Sequence, residues 1–176
     1  MNGTKPISKK NVELSDLNNY VFYLLQNMDY TENKIRTKLK DRFPLQPELH
    51  EDCIAKIYSL GLINDDKFAL RFFLVQARAK DGIQKIRQKM IAKGFTSETI
   101  NDTLNSDEVA NFDFLRNAIS LRVKFYGTEP FTDRKKRDKA SRKLLGKGFS
   151  FDIIGKALNY NFEEDELELG FTDSNY

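Results

Sequence analysis

A basic segment ending in Lys-Gly-Phe occurs twice, and the second copy repeats the first at a constant offset. KMIAKGFTSETINDTL runs from Lys89 and KLLGKGFSFDIIGKAL runs from Lys143. Met90 matches Leu144, Lys93 matches Lys147, Gly94 matches Gly148 and Phe95 matches Phe149; Ile100 matches Ile154 and Leu104 matches Leu158. Each pair is separated by 54 positions, from 90 to 144 and from 104 to 158. Self-similarity at a fixed offset means that one supersecondary unit is used more than once. A third, weaker copy, RTKLKDRF from Arg36, aligns with RQKMIAKGF from Arg87 but lacks the glycine.

Helical periodicity fills the chain around these segments. Leu17, Tyr20, Val21, Leu24, Leu25 and Met28 fall on one face of a helix. Thr31 caps a second helix with Ile35 and Leu39 inward, ended by Phe43-Pro44. A third helix runs from about Pro47 to Leu60 and stops at Gly61. The pattern restarts with Asn64, Asp65 and Asp66 as N-cap oxygens and Phe68, Phe72, Val75 and Ala79 on one face. Asp81-Gly82 interrupts it, and Ile83, Ile86 and Met90 define the next helix. Gly94 ends that one, and Ser97 begins a helix carrying Ile100 and Leu104. A third restart places Leu115, Ala118, Ile119, Arg122, Val123 and Tyr126 on a long helix, then a Gly127–Pro130 loop, the Lys143 copy and a closing helix from Ile153 to Leu158.

No stretch shows the two-residue alternation a sheet requires. The expected fold is therefore all-α, an elongated array of three tandem three-helix, helix-turn-helix-like repeats. The expected divisions are a disordered arm over 1–15, repeats over 16–60, 61–108 and 109–162, and an acidic tail over 163–176. Each repeat is too small to bury its own helices, so side-by-side packing is expected.

Net charge is only +3, but it is unevenly placed. Residues 134–147 carry eight basic side chains against Asp138, a local +7, whereas residues 163–176 carry six acidic ones and no basic one. Such blocks describe either a polyanion-seeking face beside an acidic tail or a solvated helix and a solubilising tail; charge alone favours the second. At 100° per residue, Ala140 and Leu144 face inward while Lys135, Lys139 and Arg142 form an outward ridge flanked by Lys136, Lys143 and Lys147. In the second repeat Lys85 and Lys89 point outward, with Lys93 at the helix end. Arg87 and its counterpart Arg36 lie near the apolar stripe, where they either snorkel along the core edge or pair with an acidic neighbour. The ridge can meet phosphates, an acidic protein groove or only water. On DNA it would contact roughly five phosphates, single- or double-stranded, with steep salt dependence. Base-reading side chains are sparse, so sequence-specific recognition is not expected. The acidic tail can compete for the ridge.

Catalytic chemistry has little to work with. His50 is the only histidine and has no neighbouring nucleophile, so neither a triad nor a multi-histidine metal site is expected. Cys53, the only cysteine, sits in helical periodicity as a packed residue; with no second cysteine there is no intramolecular disulfide, and a reducing, cytoplasmic setting is expected. Asp65-Asp66 reads as a helix start rather than an acid/base pair. GxxxxGK[ST] does not occur. The amino terminus has no apolar signal core, and no apolar run approaches membrane-spanning length. No cofactor, no metal, no enzyme activity and no membrane partner are expected, and a monomer is.

With these residues in view, the chain resembles the RecX family of recombinase regulators. The stretch that carries the likeness is GLINDDKFALRFFLVQARAKDGIQKIRQKMIAKGF, Gly61 to Phe95, supported by MDYTENKIRTKLKDRF from Met28 and VKFYGTEPFTDRKKRDKASRKLLGKGF from Val123. The likeness covers about residues 16–162. Departures are Ile83 where many members carry proline, Lys89 in place of an acidic residue, and a more polar start at Asn64. The resemblance implies tandem three-helix repeats that bind the RecA–DNA filament groove, inhibiting filament growth, strand exchange and co-protease activity in DNA repair and the SOS response. The cations read from the basic helices, Lys85, Lys89, Lys93, Lys135, Lys136, Lys139, Arg142, Lys143 and Lys147, are the candidates for contact with filament or DNA. A general DNA-binding helical module acting without a recombinase is the competing expectation.

Overall fold

The computed structural model describes residues 11–162; the acidic tail and the first ten residues of the expected arm lie outside them. The described residues are all-helical, without strands. The helices are α1 (Leu14–Asn27), α2 (Glu32–Arg42), α3 (Glu48–Ser59), α4 (Asp65–Arg78), α5 (Ile83–Lys93), α6 (Ser97–Leu104), the short α7 (Asp107–Ala110), α8 (Phe114–Tyr126), α9 (Arg134–Gly146) and α10 (Phe151–Leu158). They follow as three triplets, α1–α3, α4–α6 and α8–α10, with α7 between the last two. The sequence pattern did not show α7; it buries a single apolar residue, Val109. α1 starts three residues ahead of the first periodic position, because Glu13 and Asp16 form a reciprocal cap and Val12 and Leu14 pack against the core.

Two compact units result. One draws on the described residues within Met1–Leu74 and Arg87–Ala110, the other on those within Val75–Ile86 and Asn111–Tyr176. The division passes through α4 and α5, so the compact units are drawn differently from the sequence repeats. In the first unit Leu17, Val21, Ile35, Leu39, Cys53 and Ile57 are fully buried. Tyr20 meets Phe43 edge-on, 5.7 Å between ring centroids. Each such aliphatic side chain contributes about 1.5–3 kcal/mol by leaving water. In the second unit α8 and α9 pack against α10, burying Ala118, Ile119, Ala140, Leu144, Ile154, Ala157 and Leu158.

The repeated segment closes a helix with the same backbone hydrogen bonds in both units. Lys-Gly-Phe stands at the helix end in both copies: Lys93 is the last residue of α5, and Lys147 is the residue that caps α9. Gly94 and Gly148 have φ of +100° and +87°. Gly94 N–H donates to the Ile91 carbonyl and Phe95 N–H to that of Met90, at 3.0 and 3.2 Å; Gly148 and Phe149 donate to Leu145 and Leu144 at 2.8 and 3.3 Å. These are paired Schellman closures, in which the glycine supplies the left-handed turn and the phenylalanine the hydrophobic clasp. Met90, Phe95 and Ile100 are buried, as are Leu144, Phe149 and Ile154.

Each closure also docks on the start of another helix. In the first unit the Thr31 hydroxyl donates to the Lys93 carbonyl at 3.3 Å, and Asn33 Nδ2 donates to that of Gly94 at 3.1 Å. In the second unit Gly82 N–H donates to the Lys147 carbonyl at 2.7 Å and Gln84 N–H to that of Gly148 at 3.1 Å. In the second unit the carbonyl end of one helix thereby accepts from orphan N–H groups of another, whereas in the first it accepts from side chains at the start of α2. A Cβ on Gly148 would stand 2.4 Å from the Lys85 nitrogen, and one on Gly82 would stand 2.3 Å from the Gly148 carbonyl carbon. Glycine is required there for close approach as well as for backbone conformation.

Two expectations about faces need correction. The buried stripe of α4 is Ala69, Phe73 and Ala77, each fully buried, whereas Val75 is 51% exposed and Ala79 also faces out. Phe68 and Phe72 lie on its flank against Phe95, at 5.0 and 5.8 Å. The small alanines, not the largest side chains, mark where α4 is packed most closely. Asp65 also does more than begin α4: Asn64 Oδ1 caps that helix through Lys67 N–H, while the Asp65 carboxylate accepts from Glu32 N–H at 3.2 Å and so caps α2.

Candidate polyanion-binding face

α9 is built so that its polar side cannot be mistaken for its core side. Asp133 caps it through Lys135 N–H at 2.8 Å. Ala140 and Leu144 are buried, while Lys135, Lys136, Lys139, Arg142 and Lys143 are exposed. Among the described residues no carboxylate is within ion-pair distance of Lys135, Lys136, Lys139 or Lys143. Arg134 only grazes Asp138 at 4.0 Å, and Arg142 Nε donates to the Asp138 backbone carbonyl.

Arg134, Lys135, Lys136 and Arg137 open the helix, where the dipole favours anions and opposes cations by a few tenths of a kcal/mol each. A helix shaped for stability alone would not begin this way. Lys143 carries its ammonium 3.3 Å from the Phe125 ring centroid, and Phe125 is 43% exposed. The face thus combines unneutralised cations with an accessible aromatic ring, chemistry suited to an anionic partner.

The remaining sequence candidates are not turned freely outward. Lys85 and Lys147 both reach the nearly fully buried Asp81 carboxylate, at 3.2 and 3.4 Å, so they clasp the Gly82–Lys147 junction from two sides. Lys93 lies 5.5 Å over the Phe68 ring. Lys89 is half-buried and engaged with neighbouring groups. Outward projection for Lys85 and Lys89 is therefore corrected. Periodicity along one helix could not show Asp81, which comes from the preceding turn.

The two ambiguous arginines separate. Arg36 pairs with acidic neighbours: Nε meets Glu32 and the guanidinium spans both oxygens of Glu51, with Nη2 at 2.9 Å. Burial pushes the Glu32 carboxyl up, but the Tyr58 hydroxyl and Arg36 outweigh it and hold it below the usual value. Arg87 is exposed and donates to Asn101 Oδ1 at 3.3 Å. His50 sits on α3, buried, with Nε2 3.0 Å from the Phe43 carbonyl. That contact places the proton on Nε2 and closes the end of α2. Cys53 is buried, and burial pushes its thiol up to about 11. Among the described residues no group of three His, Cys, Asp or Glu side chains could hold a metal, and no helix is long and apolar enough to cross a membrane.

One charged residue was visible in the sequence only as an apolar-stripe position. Arg122 is 1% exposed. Its Nη2 donates to the Thr128 and Glu129 carbonyls at 3.1 and 2.9 Å. Its guanidinium lies between the Phe131 and Phe162 rings, 5.3 and 4.5 Å from their centroids. It thereby fixes the loop that leads into α9.

Comparison with known proteins agrees with this architecture. A family model described as RecX, third three-helix domain, matches residues 113–158, the triplet that carries the basic face. The regulatory protein RecX of Clostridioides difficile (strain 630) is 30% identical over 154 residues, spanning 86% of this chain and 70% of its own length. That of Acinetobacter baylyi is 29% identical over 157 residues, spanning 89% and 95%. A crystal structure of RecX from Lactobacillus salivarius superposes with a TM-score of 0.67 at 24% identity, covering 82% of this chain and 94% of that one, a likeness of fold.

Proposed function

Because the chain belongs to the RecX family of regulatory proteins, we propose that it regulates the RecA recombinase by binding the RecA–DNA filament groove. There it would restrain filament growth, strand exchange and co-protease activity in DNA repair and the SOS response. The observation that carries this reading is the α9 face: Lys135, Lys136 and Lys139 exposed without a carboxylate partner, on a helix whose first turn holds four cations against its own dipole. A groove lined by phosphates and acidic side chains relieves both features at once. The protein would act by occupancy, without catalysis, as a monomer in the cytoplasm.

Addition of the purified chain to RecA on single-stranded DNA tests this directly. Slowed ATP hydrolysis and strand exchange at about one chain per few RecA protomers is the expected result, and unchanged rates at that ratio would remove the reading. The same unpartnered cations favour one alternative, a non-sequence-specific DNA-binding module that needs no recombinase. Tight, salt-sensitive shifts of naked single- or double-stranded DNA, with RecA activities untouched, would select it.

A further inference from the structure

Arg122 and Arg137 share the wall of a cleft of about 600 Å³, together with Thr128, Glu129, Asn159 and Phe162. Arg122 is almost wholly buried, and its Nε and Nη1 have no hydrogen-bond acceptor. Among the described residues no carboxylate is within ion-pair distance of either arginine; Glu129 offers Arg122 only its backbone carbonyl. Burial alone pulls the Arg122 pKa below the ordinary arginine value, with no anion to restore it. A buried cation without a counter-ion is costly and calls for one. The chain itself runs into this cleft: Phe162 stacks on the guanidinium at 4.5 Å, and the next residues are Glu163, Glu164, Asp165 and Glu166.

We propose that the Arg122–Arg137 cleft is a carboxylate-binding site and that its occupant is the chain's own acidic segment, Glu163–Glu166. Phe162 is the anchor, held by the rings and charge around Arg122, and it delivers the carboxylates to the side of α9 that bears Arg137. Occupancy would place negative charge beside the basic face and set how strongly that face attracts another polyanion. The site itself stands on the cleft and does not depend on the recombinase reading.

The experiment uses the full-length chain and side-chain nuclear magnetic resonance of arginine Nε–Hε groups. The comparison is with a variant whose four carboxylates are neutralised (Glu163→Gln, Glu164→Gln, Asp165→Asn, Glu166→Gln). Neutralisation is expected to shift the Arg122 and Arg137 signals and leave exposed Arg116 unmoved. A free Glu-Glu-Asp-Glu-Leu-Glu peptide should restore both signals in the neutralised chain. It should bind the parent chain about tenfold more weakly, because a tethered competitor acts at millimolar effective concentration. In the Phe162→Ala chain, which keeps its acidic residues, Arg122 and Arg137 should shift toward the neutralised positions. Unmoved arginine signals would overturn the site, and equal movement of Arg116 would reduce the effect to long-range charge. Equal peptide affinity for parent and neutralised chains would overturn the tail as occupant and leave the cleft to an acidic peptide from elsewhere. None of these readouts involves RecA or DNA, so failure here is separable from failure of the proposed function.

Discussion

The Gly82 N–H donates to the Lys147 carbonyl at 2.7 Å, joining the start of α5 to the end of α9. At the start of α2 the Thr31 hydroxyl donates to the Lys93 carbonyl at 3.3 Å, a side-chain contact in the corresponding place. The duplicated Lys-Gly-Phe segment is thus a helix closure in both copies and an acceptor for the start of another helix, taking side-chain donors in the first copy and backbone donors in the second.

Gly148→Ala is expected to destabilise the chain by about 3 kcal/mol or more. The left-handed backbone costs about 1–2 kcal/mol for a residue with a Cβ, and the contact with the Lys85 backbone adds overpacking of about 1–3 kcal/mol. Gly146→Ala, two residues earlier in open space inside α9, should instead stabilise by about 0.5–1 kcal/mol. Urea denaturation of the two variants measures both, and equal effects would contradict the docking role.

Lys80 is the only residue other than glycine with positive φ among the described residues, at +62°, and it closes α4 through Asp81 N–H on the Gln76 carbonyl at 3.2 Å. Lys80→Gly relieves about 1 kcal/mol of backbone cost but loses the Lys80 Nζ–Ser120 hydrogen bond. A net gain of a few tenths of a kcal/mol, read as a rise in Tm, is the expected outcome.

Cys53 ionises at about 11 in the folded chain against 9.0 for a free thiol. An acid whose folded pKa is raised contributes stability that is present below the unfolded pKa and lost as pH rises through the folded one. Stability should therefore decline between pH 9 and 11 through this group. At pH 8 the native thiol should react with a disulfide reagent at least about 100-fold more slowly than in the urea-unfolded chain, since only the thiolate attacks. Similar native and unfolded rates would show that Cys53 is not enclosed.

Much of this was legible in the sequence, and the reasons for the rest are specific. Met90, Phe95 and Ile100 and their partners 54 positions on all proved buried, because a repeated apolar residue in a helix has one place to go. Thr31, Phe43 and Gly61 marked real helix ends because capping is a local property. The face of α4 was misphased because Phe68 and Phe72 outweigh Ala69 and Ala77 in any ranking by size, whereas close packing selects small residues. Lys85 and Lys147 read as outward because Asp81 lies on another element of the site. Asp65, which caps α2 from 33 residues away, could not be distinguished from a cap of its own helix. Arg122 stood in the apolar stripe without any local sign that two aromatic rings and two carbonyls would enclose it. In α9, by contrast, the outward placement of Lys135, Lys139 and Arg142 was legible, since its core residues Ala140 and Leu144 fix the phase of the cations around them.

Whether the α9 face holds the filament is read from RecA-driven strand exchange with the parent chain and with a Lys135→Glu, Lys139→Glu, Arg142→Glu variant. All three side chains are exposed, so the variant should keep the parent's stability within about 0.5 kcal/mol. The parent is expected to inhibit exchange, and the folded variant to need about tenfold more protein or greater for the same inhibition, a loss of roughly 1.4 kcal/mol in binding. A folded variant that inhibits as well as the parent would contradict that role of the face.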